Sequence, residues 1–101
     1  MFARVFVHRG VSERYDEGVE LFREKVVPEV EKQPGFAGAL LLADRETDLA
    51  YSITFWESEE ALRATDELGL QLAETASKQL HSHISEGHFK VEVSKLPALV
   101  A

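Results

Sequence analysis

Cysteine is absent from the 101 residues of this chain, which excludes a disulfide framework, a thiolate metal site and a cysteine nucleophile. Proline and glycine are sparse, at 3 and 6 residues, and no Gly-rich phosphate loop or flexible linker can be traced. Long apolar runs are missing: nothing approaches the ~20 residues of a membrane span. Charge interrupts residues 1–9 too early for a signal peptide. Positive charge is in deficit, with 11 basic against 18 acidic residues and a net charge of −7. A chain this acidic, without a basic patch, neutralises phosphates poorly, so neither nucleic acid nor an anionic membrane is an expected partner. These absences together fit a cytoplasmic protein.

What is present is enough apolar material for one small core. Hydrophobic residues make up 45% and charged residues 29%, a balance that separates the chain from disordered tails. It reads as one domain over residues 1–101, with a core of about 3–95 and an apolar tail at 96–101. Residues 3–9 alternate, Ala3, Val5 and Val7 on one face and Arg4, Phe6 and His8 on the other, which predicts a strand. Gly10 breaks it and Ser12 is the expected N-cap of a helix. Tyr15, Val19, Phe22, Val26 and Val30 form that helix's apolar stripe, Pro28 is expected to kink it, and Pro34-Gly35 ends it. Residues 37–43 and 49–56 predict two strands joined by a charged hairpin loop. Ser58 is the expected cap of a second helical segment that Gly69 interrupts and Gly87 closes, and residues 88–95 predict the last strand.

The order β-α-β-β-α-β is the ferredoxin-like pattern, an α+β fold with both helices on one face of an antiparallel sheet. The other face should then be polar. Yet Leu40, Leu41 and Leu42 are consecutive and the tail is apolar. Both features imply that a second copy covers the open face, making a homodimer.

Two stretches carry a family resemblance. Pro34-Gly35-Phe36-Ala37-Gly38 follows the first helix, and Trp56-Glu57-Ser58-Glu59-Glu60-Ala61 leads into the second. In these the chain resembles the antibiotic biosynthesis monooxygenase family, densely over 34–62 and more thinly over 3–95. The resemblance implies two ferredoxin-like sheets packed into a dimeric α+β barrel. It also implies one of several chemistries: cofactor-independent oxygenation of phenols and quinols, haem degradation, or ligand binding without turnover. Haem degraders of the family use an Asn on the first strand, a Trp on the second helix and a His ligand. This chain has no Asn, and its one Trp is Trp56. Phenol oxygenases pair the strand-end Trp with an Asn four residues earlier, a position that Ser52 holds here.

Candidate site residues follow from strand period and side-chain chemistry. Arg4, Phe6 and His8 share one face of the first strand; Ser52, Thr54 and Trp56 share one face of the third. If the two faces coincide they line a largely apolar recess with a few polar groups, the usual composition of a ligand site. Packing alone explains Trp56 equally well, and a solvated edge would explain Arg4. His8, Trp56 and Ser52 are the catalytic candidates, His8 as the base because its ordinary pKa is near 6.5. Arg4, Phe6, Tyr51, Thr54 and His81 are the candidates for binding a small aromatic substrate. His81 and His83, two apart on a helix, would face opposite ways, so no metal site is expected from them with His88. The expected chemistry needs no cofactor. A non-catalytic ligand-binding barrel and a haem-binding protein remain as alternatives.

Overall fold

A computed structural model of the chain describes residues 1–96. Most of the apolar tail anticipated at 96–101 lies outside the described residues. Strands β1 (Phe2–Arg9), β2 (Phe36–Asp44), β3 (Leu49–Trp56) and β4 (His83–Lys90) form one antiparallel sheet in the order β2-β3-β1-β4. The four helices α1 (Tyr15–Leu21), α2 (Val27–Val30), α3 (Glu59–Ala64) and α4 (Asp66–Leu80) complete the expected β-α-β-β-α-β arrangement. It is the ferredoxin-like α+β fold, with β1 and β3 side by side at the centre of the sheet.

Register fixes which side chains share a face. Arg4 stands opposite Thr54, Phe6 opposite Ser52 and His8 opposite Ala50. The two mixed faces therefore coincide, and this is the buried side: Arg4, Phe6, His8, Ala50, Thr54 and Trp56 are all buried. Leu40, Leu42, Tyr51, Ile53, Val5, Val7 and Phe89 fall on the other side by the same register. Within the chain that side is poorly covered, and Leu42, Tyr51 and Phe89 are 49%, 36% and 57% exposed.

Helix boundaries depart from expectation at several places. The first helical turn is a 3-10 turn over Ser12–Arg14, and Val11, rather than Ser12, holds the capping position. Before Pro28 the helix widens into a π turn over Phe22–Val26, where the N–H of Val27 reaches the carbonyl of Phe22. Proline has no N–H and its ring crowds the carbonyl four residues back, so a wider turn accommodates it without breaking the rod. The second helical segment breaks at Thr65, not at Gly69, which lies buried within α4. A Cβ at Gly69 would come within 2.9 Å of the Arg4 guanidinium; the glycine is there for close approach. Helix α4 ends at Leu80, and His81 takes the left-handed closing conformation (φ 54°) that Gly87 was expected to supply. The N–H of Ser82 closes the turn on the carbonyl of Ser77 at 3.0 Å. The last strand accordingly runs over 83–90 instead of 88–95, and Gly87 pairs with Val5 inside it.

The two motifs that carried the resemblance meet in space. Gly35, at φ 83°, accepts a hydrogen bond from the N–H of Glu57 at 2.8 Å. A Cβ on it would lie 2.5 Å from that of Ala61, so only glycine fits this left-handed turn. Ser58 caps α3 as expected, its hydroxyl accepting from the Ala61 N–H at 3.1 Å.

Candidate functional site

Between the helices and the centre of the sheet lies a cavity whose existence follows from small side chains. Gly18, Ala43, Ala50, Gly69, Ala73 and Ala76 line it alongside the larger Phe6, Phe22, Leu72 and Leu80. Small residues on facing elements leave space that neighbouring side chains do not fill. The room open to the centre of a water molecule is about 70 Å³. The π turn contributes Phe22 and Val26 to the wall.

His8 is the group in this wall that the fold leaves unsatisfied. Its ring is 7% exposed, and Nδ1 is buried without a hydrogen-bond partner among the described residues. Phe6 lies beside it at a tilt of 46°, centroid to centroid 6.5 Å. Burial among apolar neighbours lowers the His8 pKa below its ordinary 6.5, because a desolvated imidazolium is costly. The imidazole is therefore neutral at pH 7 and keeps a lone pair for a proton. An unpaired buried polar atom costs stability, which makes this imidazole a candidate for a chemical role. Ser52, one step along the neighbouring strand on the same face, also lines the cavity, diagonal to His8 at a spacing of roughly 7–8 Å.

Arg4 lines the cavity, and four of its five N–H groups are engaged. The side chain is 2% exposed. Its Nε donates to Glu86 Oε2 at 3.1 Å, Nη1 to Thr65 Oγ1 at 2.9 Å, and Nη2 to the Leu62 carbonyl at 2.8 Å and to Asp66. The solvated, snorkelling Arg4 considered from sequence is thus not what the fold builds. Glu86 is shared further with His88, 2.8 Å away. The helix break at Thr65 is what brings Leu62, Thr65 and Asp66 around one guanidinium.

The remaining candidates divide clearly. Phe6 and Thr54 line the cavity. Trp56 has no exposed surface and lies outside the lining, in a separate cluster with Val30 and Leu62. Its indole N–H donates to Thr54 Oγ1 at 3.0 Å, and its ring meets Phe36 edge-on at 5.8 Å. Tyr51 projects from the opposite sheet face, and His81 is exposed at the end of α4, beyond the cavity lining. Among the described residues no group of three or more His, Cys, Asp and Glu is placed to hold a metal ion. No described helix is long and apolar enough to cross a membrane.

Sequence reading missed Tyr15. It is buried in the cavity wall, with its hydroxyl 3.1 Å from both the Asp44 carbonyl and Asp48 Oδ1. Burial, and then the Asp48 hydrogen bond, raise its pKa, so it stays a phenol. The available signal was a phenol in an otherwise aliphatic and Phe stripe, because a buried tyrosine needs a partner for its hydroxyl.

Known proteins share this fold. The monooxygenase from the gene ActVA-Orf6 of Streptomyces coelicolor, solved with nanaomycin D, is similar at TM-score 0.74 and 23% identity, over 96% of this chain and 92% of that one. SnoaB, a cofactor-independent oxygenase from Streptomyces nogalater, is similar at 0.70 and 24%, over 96% and 97%. The haem degrader MhuD from Mycobacterium tuberculosis is similar at 0.68 and 21%, over 94% and 99%. A comparison with curated proteins finds no match. These likenesses establish the shared fold, and the family model for antibiotic biosynthesis monooxygenase matches residues 1–67. The chain belongs to the antibiotic biosynthesis monooxygenase family.

Proposed function

We propose that the protein is a cofactor-independent monooxygenase that converts small electron-rich phenols to quinones, with His8 as the base. The observation that carries this reading is the neutral imidazole whose Nδ1 has no partner in an apolar cavity. A phenol seated there donates its O–H to the imidazole, and proton transfer leaves a phenolate with negative charge spread to the ring carbon para to oxygen. Ser52, in the cavity lining, hydrogen-bonds the oxyanion in this reading. Dioxygen takes one electron from the phenolate, and the radical pair closes a carbon–oxygen bond. The imidazolium returns its proton to the peroxide oxygen. Loss of the proton from the same carbon to His8 then breaks the O–O bond and releases hydroxide, which the imidazolium converts to water. The balance is phenol plus dioxygen giving quinone plus water. The protein supplies desolvation, orientation and a proton relay.

A haem fits this recess poorly. The one imidazole in the wall is His8, which is set on the sheet with its Nδ1 shielded. Oxygen uptake with a panel of phenols and hydroquinones tests the proposal, with quinone formation followed by absorbance. Stoichiometric uptake without added metal, flavin or haem is the expected result. Ligand binding without uptake would instead make this a binding barrel, and a Soret band in purified protein that bleaches with reductant would favour haem turnover.

The same proposal includes a homodimer through the open sheet face. Leu40, Leu42, Ile53, Tyr51 and Phe89 form an apolar surface there, and exposed apolar surface of this extent marks an interface. An obligate interface should bury upwards of ~2,000 Å² in total. Light scattering at micromolar concentration is expected to give twice the chain mass of 11.3 kDa; a monomer would refute it.

A further inference from the structure

From the way Arg4 is satisfied, we propose that the cavity accepts uncharged aromatic alcohols and rejects those carrying a carboxylate or phosphate. The inference rests on the reading of this cavity as a phenol site. Arg4 is the one ordinarily charged side chain in the cavity lining. Its guanidinium spends four N–H bonds on Glu86, Thr65, the Leu62 carbonyl and Asp66. Two of those partners are carboxylates, so the cation is already neutralised. The fifth N–H sits on Nη1, the atom packed against Gly69.

The other polar groups at the site are neutral. Tyr15 is committed to Asp44 and Asp48. His8 and Ser52 offer hydrogen bonds without a formal charge, since burial depresses protonation of His8. An anion entering this space would lose its hydration and gain no counter-ion, a desolvation loss that hydrogen bonds alone do not offset. A neutral phenol loses little and gains a hydrogen bond to the neutral imidazole. Ionisation is then deferred until the substrate is enclosed, where His8 takes the proton. Selection against charge and activation by a neutral base are two consequences of one electrostatic arrangement.

Calorimetric titration at pH 7 with 2-naphthol, 6-hydroxy-2-naphthoate and the methyl ester of that acid separates charge from size. The expected result is binding of 2-naphthol and the ester, with the carboxylate weaker than its ester by at least about tenfold. Replacing Asp66→Asn together with Glu86→Gln frees the Arg4 cation and is expected to narrow that ratio. A carboxylate that binds as tightly as its ester overturns the inference, even if oxygen uptake upholds the phenol site. Equal failure of the acid and the ester while 2-naphthol binds also overturns it, since size would then be the discriminator. If none of the three binds, the proposed function falls and the inference falls with it. Should the double variant not fold, the comparison of acid and ester in the natural protein still decides.

Discussion

Truncating Trp56 to alanine is expected to cost about 3–5 kcal/mol of folding stability, the range for removing a large aromatic from a packed core. The side chain has no exposed surface and packs with Val30, Leu62, Phe2 and Phe36. Its T-shaped contact with Phe36 adds to the area term, and its N–H satisfies the buried Thr54 hydroxyl. Urea unfolding should show the whole change in the midpoint, with the slope preserved. The milder Trp56→Phe keeps the apolar bulk but orphans Thr54, and should cost on the order of 1–3 kcal/mol. Because the indole does not line the cavity, that variant should keep ligand affinity within about threefold, equivalent to roughly 0.6 kcal/mol. A large loss of affinity in a folded Trp56→Phe protein would instead place the indole in the site.

Replacing His8 by leucine should have the opposite profile: turnover falls by about 10²–10⁴ while the protein becomes more stable. The natural residue buries Nδ1 without a partner, and an orphaned polar atom costs roughly 1–3 kcal/mol. Leucine removes that cost at similar volume. A His8 variant that is markedly destabilised, or that retains full oxygen uptake, contradicts the assignment. The pH profile adds an independent readout. Desolvation lowers the native pKa below the ordinary 6.5, so the base form predominates at and above pH 6.5. Oxygen uptake should therefore fall only as pH drops through the lowered native value, and the His8 limb should vanish in the variant. Stability follows the same linkage. Between pH 6.5 and the native value the unfolded chain binds a proton that the folded chain refuses, so stability is lost as pH falls across that window. The leucine variant lacks this contribution. Tyr15, also in the lining, is shifted upward and does not titrate there.

Local signals carried most of the architecture. Period-two alternation in residues 3–9 and 49–56, the stripe from Tyr15 to Val30 and the Ser58 cap are each decided by neighbours a few residues away, and each survives folding. The Pro34-Gly35 and Trp56-Glu57-Ser58 turns are local as well. Their meeting through the Gly35 carbonyl and the Glu57 N–H explains why they report the fold so well and the chemistry so poorly. They clasp a turn at the Trp56 end of the sheet, outside the cavity lining.

Errors arose where a local signal had a distant cause. Gly69 read as a helix interruption because glycine is a poor helix former, yet it is held within α4 by the bulk of Arg4 from the first strand. Gly87 read as a helix stop, although the helix had already closed at His81 through Ser77 and Ser82. Non-glycine residues adopt that left-handed conformation at only a modest penalty, which packing can offset.

By itself, then, the sequence determined an acidic α+β fold, its strand faces and its family, since these depend on spacing and composition. Tertiary structure alone decided which of the candidate residues share the cavity. Arg4, Phe6 and His8 alternate identically along one strand, but Arg4 meets Asp66, Thr65 and Glu86 while His8 meets none. Which buried polar group is satisfied, and which is left without a partner, is set by residues from other elements, and that difference separates a structural cation from a candidate base.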